Sequence, residues 1–201
     1  WQRALGAAAP AVAVNVSPRQ LFHPQFFTLL DTTIEQTGVD PHGIIVEITE
    51  NIVGHSADVE QLLAEVRQRG VRLALDDFGK GQTSLRYLRS FPLDLLKIDK
   101  GFVQRGDLNQ ADLSILRSII QMAHDLGLVV VAEGIESQAQ LKLLRHLGCD
   151  LVQGYILHRP SDQAELSRRL GISDTDLHRH RRAATTEAEA TLAELQAIIA
   201  T

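Results

Sequence analysis

One cysteine, Cys149, stands among 201 residues, so an internal disulfide is excluded and a reducing compartment is suited. There is no excess of positive charge. The formal net charge is −5 and the pI near 5.9, which argues against a general nucleic-acid or membrane-surface binder. No apolar run approaches the ~20 residues that span a bilayer, and no secretory leader opens the sequence. Several catalytic signatures are also missing. No strand–GxGxxG–helix unit occurs, which weighs against a dinucleotide fold. Gly79-Lys80-Gly81-Gln82-Thr83-Ser84 only looks like a phosphate loop. Asp77-Phe78-Gly79 matches the kinase tripeptide without its companion loops. The eight histidines show no HExxH-type spacing, and no Ser-His-Asp or Cys-His arrangement is evident, so a covalent enzyme intermediate is not indicated.

What remains is an ordinary globular composition, 44% hydrophobic and 22% charged, enough for one sizeable core and, by length, one domain. Strand-like runs alternate with helical periods. Strands are predicted at 11–16, 44–48, 71–75, 95–98, 128–132 and 151–157. Helices are predicted at 24–36, from Ser56 or Asp58 to Gly70, 83–89, 112–126, 137–147 and from Ser161 to Leu170. Strict alternation implies right-handed crossovers and a parallel sheet clothed in helices. An open doubly wound sheet and a closed barrel both satisfy it. Residues 171–201 differ in character: a basic run, His178 to Arg182, precedes an Ala/Glu-rich helical stretch, which reads as a solvated helical tail.

The run Val71 to Leu75 leads directly into Asp76-Asp77-Phe78-Gly79. Adjacent carboxylates repel and are costly to desolvate. Such a pair serves either divalent-cation binding or turn formation, with Asp77 as an Asx-turn residue. The other strand ends bear on the choice. Asn15, Glu47, Asp76 with Asp77, Lys97, Glu133 and Gln153 each fall toward the C-terminal half of a successive strand, the side on which parallel α/β folds bind ligands. Four carboxylates and an amide, without His or Cys, favour Mg²⁺ or Mn²⁺ over Zn²⁺. A carboxylate pair with one bridging Asp can hold two ions ~3.5–4 Å apart, the arrangement for phosphoester hydrolysis. A lysine at the floor can orient the attacking water.

Asn15-Val16-Ser17, Glu47-Ile48-Thr49-Glu50, Asp76-Asp77-Phe78-Gly79, Lys97-Ile98-Asp99, Val131-Ala132-Glu133-Gly134-Ile135-Glu136 and Gln153-Gly154-Tyr155 resemble, in order, the motif series of the EAL-domain family, the bacterial cyclic di-GMP phosphodiesterases. The resemblance covers roughly residues 1–165. It implies a (β/α)8 TIM-type barrel, here incomplete with six βα units, that hydrolyses cyclic di-GMP to linear pGpG with two Mg²⁺ or Mn²⁺ ions. It implies that Asn15, Glu47, Asp76 and Asp77 hold metal, with Asp76 bridging, and that Lys97 and Glu133 position or deprotonate the water. Glu136 and Gln153 would complete the pocket, and Glu50 would anchor the loop after the Asp pair, a loop that couples dimerisation to metal binding in the family. A homodimer, upstream sensory or cyclase domains and a cytoplasmic location, with the parent protein open to membrane tethering, belong to the same expectation. No nucleic-acid partner is expected.

The chain departs from the family pattern in two ways. The Glu-Ala-Leu motif, whose Glu the resemblance implies to be a metal ligand, is absent, and the first residue is Trp1, so the 201-residue chain is expected to be weak or inactive as an enzyme. At ~30 residues per βα unit, roughly 60 residues of the barrel are expected upstream. Residues 1–170 are then an EAL-type domain lacking its first strands, followed by the 171–201 tail. The family also usually has Thr at the Lys80 position and an aromatic at the Gln82 position. A lysine beside two cations is repulsive unless it points away. A non-catalytic cyclic di-GMP receptor or interaction module is the alternative function.

Overall fold

A computed structural model of the chain describes residues 1–55, 57–80, 85–104 and 109–172. The 173–201 part of the predicted tail, Ser56 as a helix cap, and Gly81, Gln82, Thr83 and Ser84 lie outside the described residues. Six strands form one parallel sheet in sequential order: β1 (Val12–Asn15), β2 (Ile44–Thr49), β3 (Arg72–Phe78), β4 (Leu95–Ile98), β5 (Val129–Ala132) and β6 (Leu151–Val152). The sheet curls into an incomplete barrel wall with helices outside it. This closes the choice between an open doubly wound sheet and a barrel in favour of the barrel.

Because side chains alternate along a strand, each of β2–β5 contributes to two different interiors. Val46, Ile48, Leu73, Leu75, Leu96, Ile98, Val130 and Ala132 face outward into the main core beneath the helices. Ala74, Leu95 and Val131, with Ile45 packed against them, form a small separate cluster on the inner face. One step further along each strand on that inner face come Glu47, Asp76, Lys97 and Glu133. The polar layer therefore rests directly on an apolar one.

The helices are set by local chemistry as much as by their apolar stripes. Helix α1 (Gln2–Leu5) precedes β1, and the short α2 (Pro18–Leu21) follows it. Helix α3 (Phe26–Thr37) ends at Gly38, whose φ of 62° is the left-handed stop. Helix α4 (Ala57–Gln68) packs on β3, and α5 (Leu85–Ser90) leads to β4. Helix α6 (Gln110–Asp125) starts in a capping box between Asn109 and Asp112 and buries Leu116, Ile120 and Ala123. Helix α7 (Gln138–His146) starts in a box between Ser137 and Gln140. Asp162 caps the final helix, α8 (Gln163–Arg169).

Carboxylates at the N-terminal ends of strands are occupied by backbone. Asp94 accepts from the Leu73 N–H at 2.8 Å and pairs with Arg67 at 3.0 Å. Asp150 accepts from the Val130 N–H at 2.8 Å and contacts His124 at 2.9 Å. These acids tie the bottom of the wall together, as expected for that face of a βα barrel.

Two strand predictions need correction. The third strand does not stop at Leu75 but runs through both aspartates to Phe78. The sixth strand is two residues long rather than seven, because residues 154–157 turn. The Gly154 backbone lies against the Ile135 backbone so closely that a Cβ there would overlap it. The Leu157 N–H then closes onto the Gly154 carbonyl at 3.1 Å, which ends the extended run.

Candidate active site

Two adjacent residues of a regular strand point to opposite faces, so Asp76 and Asp77 should not both reach the mouth. A bulge resolves this. Leu75 is in register with Leu96 and Phe78 with Ile98, so both aspartates stand opposite Lys97 alone. Asp77 takes a φ of 58°, a left-handed conformation that Asp tolerates better than most side chains. The extra residue re-aims the second carboxylate. The Asp77 N–H donates to Asp76 Oδ1 at 2.9 Å. Asp76, Asp77 and Glu133 offer one oxygen each within 4.8 Å of one another.

Lys97 is buried at the centre, its side chain 6% exposed. Its ammonium donates to Glu133 Oε1 at 2.6 Å, Glu47 Oε1 at 2.9 Å and Asp76 Oδ1 at 3.0 Å. Burial alone would push its pKa down. The hydrogen bonds to Glu133, Glu47 and Asp76 outweigh burial and hold it above the ordinary lysine value. Glu133 moves the other way for a carboxylate. Burial raises its pKa, Lys97 pulls it down, and the charges of Asp76 and Asp77 add to the rise.

The segment after the Asp pair is pinned. Glu50 is buried, and its Oε1 accepts from the Gly79 N–H at 2.8 Å. Gly79, at φ 101°, lies against the Phe102 ring with no room for a Cβ. Lys80 then turns back. Its ammonium donates to Asp77 Oδ1 at 2.6 Å and to Asp99 Oδ2 at 2.8 Å.

Glu47, Asp76, Asp77, Lys97 and Glu133 thus meet in one cluster. Asn15, exposed at the end of β1, is in register with Glu47. Glu50 serves the backbone rather than the cluster. Glu136, exposed on the rim, accepts from Gln104 Nε2 at 3.0 Å, and the same amide donates to the Gly134 carbonyl at 3.0 Å. Gln153, also exposed, continues the β5–β6 pairing through its backbone: its N–H donates to Ala132 O at 2.8 Å and its carbonyl accepts from the Ile135 N–H at 3.0 Å. Asp99, quoted in the sequence only as a motif member, proves to be the second partner of Lys80. Nothing in the sequence pairs positions 80 and 99; the register of β3 against β4 brings them together.

Chemically, the carboxylates outnumber the ammonium groups that face them, and the donors are all oxygen. Oxygens less than 4.8 Å apart can share a hard cation that binds each at about 2.0–2.6 Å. The donor set fits Mg²⁺ or Mn²⁺ and offers nothing that selects Zn²⁺.

A family model described as EAL domain matches residues 1–160. The cyclic di-GMP phosphodiesterase NbdA of Pseudomonas aeruginosa is 41% identical over 156 residues, which cover 77% of this chain and 20% of that protein. The PaMucR phosphodiesterase, solved in complex with c-di-GMP, superposes with a TM-score of 0.75 at 34% identity, covering 80% of this chain and 66% of that one. The manganese/c-di-GMP complex of Klebsiella pneumoniae BlrP1 gives a TM-score of 0.71 at 30% identity, with 79% and 41% coverage. Among the first curated relatives, the chain spans only 18–23% of their length.

Proposed function

This chain belongs to the EAL domain family, and from that membership we propose that it hydrolyses cyclic di-GMP to linear pGpG with two divalent cations, Mg²⁺ or Mn²⁺, as one cytoplasmic domain of a longer signalling protein that also carries sensory or cyclase domains. The observation that carries the reading is the bulge in β3. It turns two adjacent aspartates toward one mouth, beside Glu133 and around a buried lysine. A turn-forming role for Asp77 would require none of those neighbours.

Asp76 and Asp77, with Glu47 and Asn15, would hold the cations. When bound, such ions neutralise charge on the phosphate and make water acidic enough to attack at neutral pH. The protein's own groups do the rest. Lys97 stays charged and fixed by three carboxylates, so it presents its ammonium without reorganising. Glu133, one hydrogen bond from Lys97, receives the proton of the attacking water. Glu50 holds the Gly79 N–H and so keeps the loop that follows Asp77 in one place. Gln153 and Glu136 border the mouth and contact the nucleotide.

Incubation of the longer protein, its barrel completed by the upstream strands, with cyclic di-GMP and Mn²⁺, with products separated by chromatography, tests this. The expected product is pGpG, and Asp76→Asn should yield none while keeping its circular dichroism spectrum. Undiminished turnover by that variant would remove Asp76 from the chemistry. One observation favours a second reading, a non-catalytic cyclic di-GMP receptor: Lys80 already occupies an oxygen of Asp77. Tight binding of cyclic di-GMP with no product at millimolar Mn²⁺ would favour that receptor.

A further inference from the structure

Lys80 does not turn away from the acidic cluster. Its ammonium sits between Asp77 Oδ1, at 2.6 Å, and Asp99 Oδ2, at 2.8 Å. The backbone enforces the position. Glu50 pins the Gly79 N–H, Gly79 turns the chain at φ 101°, and the Lys80 N–H closes onto the Asp77 carbonyl at 3.2 Å. The two acids differ in kind. Asp77 is half-buried and belongs to the group of oxygens that can share a cation. Asp99 is buried outside that group, and its Oδ1 is committed to the Gly101 N–H at 2.8 Å. The ammonium therefore has two seats, one of them on a residue that would bind metal. The Lys80 side chain is half-exposed, so it can change seats without disturbing the core.

We infer that Lys80 is an internal competitor for the cation at Asp77, with Asp99 as the seat to which it withdraws, so that the pair sets the divalent-metal concentration at which the second position fills. This rests on the metal-dependent reading above. A bound cation at Asp77 requires the +1 charge of Lys80 to leave Oδ1 or to be tolerated beside a +2 ion. Asp99 lowers the cost of leaving. Removing the Lys80 charge frees the oxygen. Removing the Asp99 charge leaves the ammonium on Asp77 alone.

The test is Mn²⁺ binding to the 201-residue chain, followed by the electron paramagnetic resonance signal of free Mn²⁺ and by titration calorimetry, without substrate. Lys80→Met should leave the tighter site unchanged and tighten the weaker one by about tenfold, the fold-change that a +1/+2 repulsion at about 6 Å gives in a watery dielectric. Lys80→Arg should bind as the parent does, because it keeps the charge. Asp99→Asn should weaken the second site. An unchanged or weaker second site in Lys80→Met would overturn the inference and make Lys80 a support for Asp77 instead. Equal tightening in Lys80→Arg would overturn it too, by showing that size rather than charge matters. Failure of every protein to bind Mn²⁺ would remove the metal-dependent reading, and this inference with it. Should Asp99→Asn fail to fold, the Met and Arg variants alone decide the matter.

Discussion

Replacing Lys97 with Met removes the one cation at the centre of the buried cluster while nearly preserving its volume. Lys97 donates to Glu133, Glu47 and Asp76 at 2.6–3.0 Å, and its side chain is 6% exposed. Deleting one partner of a buried ion pair leaves uncompensated charge and typically costs about 3–5 kcal/mol. Domains of this kind have about 5–15 kcal/mol in total. With about 2–4 °C lost per kcal/mol at this chain length, the melting temperature should fall by about 6–20 °C. The dependence on pH gives a second readout. In the parent, Lys97 has a folded-state pKa above its ordinary value. Its contribution is therefore fully present below the unfolded value of about 10.4 and is lost only as pH rises through the folded one. In the variant, Glu133, whose pKa burial already raises, loses the ammonium that pulled it down. A carboxylate raised in the folded state binds more protons there than in the unfolded chain, so stability should grow as pH falls and drop as pH rises through the folded pKa. The deficit of Lys97→Met should be greatest above neutrality and shrink toward pH 5. Urea unfolding at pH 5, 6, 7 and 8 measures this. A variant within 1 kcal/mol of the parent, with no slope across that range, would refute the claim that Lys97 compensates the cluster. Adding Glu133→Gln to Lys97→Met should recover part of the loss, since one uncompensated charge is then gone.

Two further substitutions probe the scaffold. Gly154→Ala should destabilise by about 3 kcal/mol, the upper part of the overpacking range, because the new Cβ meets the Ile135 backbone rather than a movable side chain; a thermal melt indistinguishable from the parent would show that β6 gives way freely. Asn109→Ala removes the acceptor of the Ala111 and Asp112 N–H groups and should cost about 1 kcal/mol in urea unfolding, without affecting Mn²⁺ binding.

The buried strands were legible because apolar runs bounded by glycine and proline leave few alternatives, and Ser137 announced α7 for the same local reason. The bulge was not legible. The aspartates interrupt the apolar run, and only the register of β3 against β4 reveals that the strand continues through them. The apolar stripe of α6 begins at Leu113 and points to a start at Asp112, whereas the cap at Asn109 comes earlier. The convergence of Glu47, Asp76, Lys97 and Glu133 followed from counting polar residues at strand ends. Their mutual contacts required the inner-face parity that only pairing supplies. Lys80 was recognisable as an unusual neighbour. Its bond to Asp99 was not, because those residues approach only once β3 pairs with β4 and Glu50 holds the Gly79 N–H.

The supernumerary residue in β3 has a consequence for how this wall can change over generations. Upstream of it, odd and even positions have one assignment of inside and outside; downstream, Phe78 stands beside Ile98 with the count shifted by one. Swapping either aspartate for another small side chain leaves that count alone, so a lineage can abandon the chemistry and keep the shape. Excising one codon there would remove the bulge and leave a regular strand, with one acid opposite Lys97 and Phe78 still beside Ile98, so the mouth would lose its second carboxylate while the wall kept its register. The second acid is thus an insertion that the wall carries without depending on it.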